Sequence, residues 1–359
     1  MRHLSRLTRR LAVLGLSMSC RLLAVLTLSG ASCFNAYGQD AYTSAAAFYR
    51  DKQLTMLSGS AVGGGYDAYA RLVSRHLPAY LPGRVSFLVQ NMPSGGGIHA
   101  ANTLANVSAR DGSVLGFLQR GVLTSPLLDP RTTNFQYDPR KFNWLISLNS
   151  EAGLVIVWNT APHKSVDDLL KRELTVGSSG PATEIFPRLL RNLFGMPLKI
   201  VSGYKGSSEA YLAMERGEVE GRISTGFDKA ILTPWIEQAK VSLLLSISLN
   251  KHPYFPDLPL VTSLVKNDAD RAIVELLLAE QLAGRPILMP PDVPLDRVTL
   301  MREALENMAQ DRAFLAEAKK LNLDIDTVSG AEIVGLLDKV YAIAPEVVNR
   351  AREIISGQK

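Results

Sequence analysis

From Phe48 onward the chain alternates short β-rich runs with amphipathic helical stretches, and four of the strand-to-helix junctions are rich in glycine, serine and threonine. That order confines the chain to the α/β class, because alternating strands and helices build sheets covered by helices. The runs that read as strands are 53–58, 85–90, 114–118, 154–158, 174–177, 198–202, 219–224 and 241–249. Between them, Ile185, Phe186, Leu189, Leu190 and Leu193 share one face of a helix over 183–194. A second helix opens at Pro294 and carries Val298, Met301, Leu305 and Met308 at three- and four-residue spacing. A last one starts on a capping box, Ser329 with Glu332, and runs towards Ile355. Residues after Asp270 are mostly helical, so two α/β lobes with a helical C-terminal section are expected. The expected division is 51–150 plus 250–359 for a discontinuous first lobe and 151–249 for the second.

The glycine-rich junctions are where chemistry can sit. The first is Ser58 to Arg71, SGSAVGGGYDAYAR; the second is Asn91 to Asn102, NMPSGGGIHAAN. The third and fourth are VGSSGPAT (Val176 to Thr183) and SGYKGSS (Ser202 to Ser208). Glycines let the backbone turn sharply and expose N–H groups, while a following helix adds partial positive charge, so each junction is a potential anion site. Ligands of open α/β sheets bind at the carboxyl ends of strands. Four such loops, two per lobe, facing one cleft argue for a small anionic ligand. Neither a P-loop lysine nor the GxGxxG pattern is present.

Enzymatic constellations are scarce. His76, His99, His163 and His252 show no metal-ligand spacing, and Gly177-Ser178-Ser179-Gly180 is one residue short of a nucleophile elbow. His76 reads as a solvated helix-face residue. The segment Arg216 to Arg222 reads as a helix end, a turn and a strand, and Lys205 as a candidate counter-charge for a carboxylate. No catalytic residue, metal or cofactor is expected.

The first 38 residues read as a cleavable export signal. Arg2, Arg6, Arg9 and Arg10 precede the apolar stretches 11–18 and 22–28, and Ala36 and Gly38 suit a cut before Gln39. Arg21 interrupts the apolar region, so Met18 is an alternative start; a lipoprotein cut before Cys33 is a further alternative. Five arginines and both cysteines, Cys20 and Cys33, fall in this segment. The remainder then carries 34 basic and 34 acidic residues and no thiol. A basic nucleic-acid footprint is therefore not expected, and packing alone must stabilise the exported protein.

The ordered motifs GGGYD, QNMPSGGG-HAAN, ARDGSVLG (Ala109 to Gly116), GYKGSSEAYLAMERGEVEGR (Gly203 to Arg222), FPDLPLVTSL (Phe255 to Leu264) and GRPILMPPDVPLDRV (Gly284 to Val298) resemble the Bug-type solute-binding proteins. These are the extracytoplasmic receptors of tripartite tricarboxylate transporters, and the resemblance spans about Tyr49 to Ile355. It implies a type II periplasmic-binding-protein fold, a Venus flytrap that closes on a small organic acid (a di- or tricarboxylate or an aromatic acid). It implies a periplasmic monomer that presents the acid to the small and large membrane subunits of a transporter. Ligand contacts would come from Ser60, Gly63, Gly64, Gly65 and Asp67; from Gly95, Gly96 and Gly97; from Ser178, Ser179, Gly180 and Thr183; and from Tyr204, Gly206, Ser207 and Asp228. The third loop departs from the family pattern, with Glu184 and Pro187 following it. Two other readings remain: a periplasmic sensor partnering a signalling receptor, and a secreted hydrolase.

Overall fold

The computed structural model describes residues 42–129, 134–179, 181–204 and 206–356. The export signal read in the sequence lies outside them, as do Gly180 and Lys205. Eleven strands are described: β1 (Gln53–Ser58), β2 (Ser86–Asn91), β3 (Val114–Phe117), β4 (Asn143–Ser147), β5 (Gly153–Trp158), β6 (Leu174–Gly177), β7 (Leu198–Val201), β8 (Gly221–Ser224), β9 (Val241–Ile247), β10 (Pro286–Met289) and β11 (Val328–Ser329). They form a six-stranded sheet in the order β11-β4-β10-β3-β1-β2 and a five-stranded sheet in the order β7-β6-β8-β5-β9. The fold is the two-lobed α/β arrangement expected.

In the first sheet β1 runs parallel to β2 and β3, whereas β10 is antiparallel to β3 and β4. Period-two alternation splits its apolar residues between two faces. Leu54, Met56, Ile287 and Met289 pack under the helices Gly65–His76 and Leu295–Gln310, with Leu72, Met301 and Leu305. Leu57 and Leu288 face the other way, onto Leu104, Ile333 and Leu337 of the helices Ile98–Asn106 and Gly330–Tyr341.

The second sheet is covered on one face by the helix Pro181–Phe194, whose Phe186, Leu189 and Leu190 meet Val155, Val176 and Leu245. The helices Asp268–Leu278 and Pro345–Ser356 bury Ile273, Leu277, Ala351 and Ile354 in this same core. The last helix of the sequence reading is therefore two. The capping box of Ser329 and Glu332 is formed, but the helix it opens ends at Tyr341, and a new one starts at Pro345. A proline has no N–H to continue a helix and disfavours helical geometry in the residue before it.

Two segments cross between the lobes side by side. Leu148 N–H donates to Arg285 O (3.0 Å), Gly284 N–H to Asn149 O (3.1 Å) and Glu151 N–H to Gln281 O (2.8 Å). A two-stranded crossing of this kind leaves a cleft on either side, walled by strand ends and their loops.

Candidate functional site

The first glycine loop is held from within. Asp67 is 2% exposed, and its carboxylate accepts from Gly63 N–H (2.9 Å), Arg71 Nε (2.9 Å) and Asn91 Nδ2 (2.8 Å). Burial alone would raise its pKa, yet these hydrogen bonds outweigh burial and hold it below the ordinary carboxylate range. Gly64 occupies the N-cap position. Asn91 also donates to Ser60 O (2.9 Å), so Asp67 and Asn91 together tie this loop to the end of β2.

In the second loop Gly95, Gly96 and Gly97 are all left-handed, with φ of 63°, 65° and 90°. Only glycine adopts that conformation in succession without strain. A Cβ on Gly97 would also press against Gly59 O at 3.2 Å and Gln119 Cδ at 3.4 Å. The three glycines line a cavity of about 400 Å³ with Tyr66, Gln119, Arg120 and Ile185.

A second cavity, about 330 Å³, lies across the crossing segments and takes walls from both lobes. Gly65, Tyr69 and Asp324 come from the first-lobe side, and Ser207, Tyr211, Arg222, Asp228, His252 and Tyr254 from the second. Of the residues that the resemblance implied, Gly65, Ser207 and Asp228 are brought together here, and Gly95, Gly96 and Gly97 in the first cavity. Ser60, Gly63, Gly64, Asp67, Ser178, Ser179, Thr183, Tyr204 and Gly206 line neither of the two. Ser178 Oγ meets Thr183 Oγ1 at 2.8 Å, and Thr183 Oγ1 accepts from Ser179 N–H at 3.0 Å, so that loop closes on itself. Glu184 follows the same logic: it accepts from Ser202 Oγ (2.5 Å) and pairs with Arg188 (2.5 Å).

A chain of charges separates the cavities. Arg120 pairs with Glu151 and, through Nε, with Glu280 at 3.0 Å; Arg285 pairs with Glu151 at 2.5 Å. Arg285 lies 4.3 Å from the ring centre of Tyr66, whose hydroxyl donates to Gly284 O at 2.9 Å and accepts from Arg120 N–H at 3.1 Å. Two arginines thus meet two carboxylates in a largely buried setting, where each charge depends on its partners. Glu151, Thr225 and Arg285 border both cavities. Farther along, Lys229 pairs with Asp324, which also accepts from the Tyr254 hydroxyl at 2.8 Å, linking the helix after β8 to the segment before β11.

Arg222 stands apart. It is 2% exposed; Nη2 donates to Ser207 Oγ (2.8 Å), and among the described residues Nε and Nη1 have no acceptor. Its guanidinium lies 5.0 Å from the ring centre of Tyr211. Burial pushes its pKa down from the ordinary arginine value. His252, in the same wall, is pushed down to about 4 by burial, and its Nδ1 accepts from Tyr254 N–H at 3.1 Å. A neutral imidazole is required for that bond.

Sequence reasoning passed over Arg120, Glu151, Arg222, Glu280 and Arg285. Arg222 alone left a trace: a cation inside a predicted strand. His76 was read as solvated; its Nε2 instead lies 2.6 Å from Glu317 Oε2, with the ring edge-on to Phe314. Among the described residues no group of three or more His, Cys, Asp or Glu could hold a metal ion, and no helix is long and apolar enough to cross a membrane.

Residues 70–308 match the model of the tripartite tricarboxylate transporter family receptor, two thirds of the chain. The chain belongs to this receptor family. A Cupriavidus necator protein of the gbd 5′ region is 25% identical over 225 residues, 60% of this chain and 65% of that protein's length. A TctC solute-binding protein from Polaromonas has the same fold, with a TM-score of 0.65 at 15% identity, covering 84% of this chain and 99% of its own. Two Rhodopseudomonas palustris proteins follow. One was solved with bound malate (TM-score 0.56, 18% identity, 85% and 99% coverage). The other was solved with adipate (0.59, 20%, 84% and 97%).

Proposed function

We propose that this protein is an exported, non-enzymatic receptor that captures a small organic carboxylate between its lobes and delivers it to the membrane subunits of a tripartite transporter. The observation that carries the reading is the cavity of about 330 Å³ walled by both lobes, with a buried guanidinium whose Nε and Nη1 have no acceptor among the described residues. Family membership supports it, and so do the related folds solved with malate and with adipate. Lobe contacts such as Lys229 with Asp324 and Arg120 with Thr225 O (3.4 Å) supply the means to hold a closed state. Ligand makes contacts in that state that an open one lacks, so binding shifts the population towards it. We assign 261–279 and 340–355 to the second lobe, because their apolar residues pack into its core. Titration calorimetry against di-, tri- and aromatic carboxylates and amino acids tests the reading. Saturable binding supports it, and silence across the panel from folded protein contradicts it. Loss of uptake of the bound acid in cells lacking this receptor tests the delivery step.

A further inference from the structure

The cavity that holds Arg222 is not a simple anion pocket, and the balance of its charges narrows the ligand. Its lining carries four carboxylates, Glu151, Asp228, Asp324 and Asp326, against two cations, Arg222 and Arg285. Several of these charges are already committed. Arg285 and Arg120 are matched by Glu151 and Glu280, and Asp324 is matched by Lys229. Three charges have no ion-pair partner among the described residues: Arg222, Asp228 and Asp326, with Asp228 near enough to Arg222 to favour its charged form. Among the described residues no carboxylate is ion-paired with Arg222, and its Nε and Nη1 have no acceptor. Ser207 Oγ fixes the guanidinium from one side. Ser207 also opens the helix Ser207–Glu215, whose first-turn N–H groups favour an anion at the same point. Asp326 accepts from Ser150 Oγ at 2.8 Å, a neutral partner that leaves its charge in place.

We propose that this cavity takes an amino-acid-like zwitterion, its carboxylate on Arg222 and its ammonium facing the acidic wall of Asp228 and Asp326. The proposal rests on the receptor reading above and sharpens its ligand class. A buried guanidinium with spare donors accepts one carboxylate at little further desolvation cost. A second carboxylate on the ligand would meet Asp228 and Asp326 with no second free cation among the described residues to answer it, whereas an ammonium would be attracted by both. Tyr69, Phe227 and Tyr254 line the same space and set aromatic rings beside these charges.

The test compares matched pairs on the whole exported protein by titration calorimetry: each L-amino acid against the acid of the same skeleton without its amine, such as glutamate with glutarate and aspartate with succinate. At least one amino acid should bind about tenfold more tightly than its partner. Arg222→Met should weaken that ligand by more than about tenfold, and Asp228→Asn should shrink the preference for the amine. Should Arg222→Met fail to fold, Arg222→Lys keeps the charge without the planar fork and should still lose affinity, with its melting curve retained. Diacids that bind as tightly as their amino partners overturn the zwitterion while leaving the receptor reading standing. Unchanged affinity in the folded Arg222 variant overturns the anchor. Binding of no acid in either set overturns the receptor reading itself.

Discussion

Replacing Asp67 by alanine removes the one carboxylate that ties the first glycine loop to β2. Its three partners differ in what they lose. Gly63 N–H is left without its acceptor, Asn91 retains Ser60 O, and Arg71 retains Asn91 Oδ1 at 3.2 Å while reaching solvent. Hydrogen bonds to a charged group are worth about 1.5–3 kcal/mol each, and screening discounts the exposed arginine, so Asp67→Ala should cost about 2–4 kcal/mol. Urea unfolding followed by circular dichroism reads this as a lower midpoint at constant slope. Asp67→Asn keeps one acceptor and should recover part of the loss. The pH dependence has a definite sign. Because the folded-state pKa is depressed, the contribution is complete above the ordinary carboxylate range and vanishes as pH falls through the depressed value. The gap between wild type and Asp67→Asn should therefore close in acid. An alanine variant within about 0.5 kcal/mol of wild type at neutral pH would refute the claim that Asp67 is a staple of the loop.

Four further outcomes follow from the same geometry. His252 is held neutral, with its pKa pushed down from 6.5 to about 4. Stability should therefore be complete above that ordinary value and fall as pH drops through the window, at up to about 1.4 kcal/mol per pH unit; His252→Phe should flatten that slope in pH-dependent unfolding curves. Arg120→Met strips Glu280 of its cation and leaves Glu151 with Arg285 alone, so thermal and urea unfolding should show a loss of about 3 kcal/mol or more. Gly97→Ala must hold alanine at φ 90° and 3.2 Å from Gly59 O, a cost of about 2 kcal/mol. Gly206→Ala, at φ 178° with nothing within 4 Å, should stay within about 0.5 kcal/mol of wild type in the same assay.

Much of the fold is legible in the sequence because its parallel units are local. β1 to β3 and β5 to β9 each carry an apolar run bounded by turn residues, and the helices between them show clear periodicity. β4, β10 and β11 are harder to see. β10 is four residues, PILM, opening on a proline and lying between β3 and β4, far from both in sequence. β11 is a two-residue pairing with β4. Such strands are defined by distant partners rather than by their own pattern. The glycine loops could be read directly, since Gly95 to Gly97 need a conformation that other residues resist. The charge chain could not be read. Arg120, Glu151, Glu280 and Arg285 are spread over more than a hundred residues, and only the paired crossing of 148–151 with 281–285 brings them together. Arg222 looked structural because GRIS is too short to show which face its arginine takes; all four of its residues are buried.

On the proposal above, ligand is held between the lobes with its carboxylate on Arg222. A crystal structure of the protein grown with its tightest calorimetric ligand tests this most directly. Carboxylate oxygens are expected within about 3 Å of the Arg222 guanidinium, with other ligand atoms against the first-lobe wall at Gly65 and Tyr69. A ligand seated away from Arg222, or touching one lobe only, would contradict it.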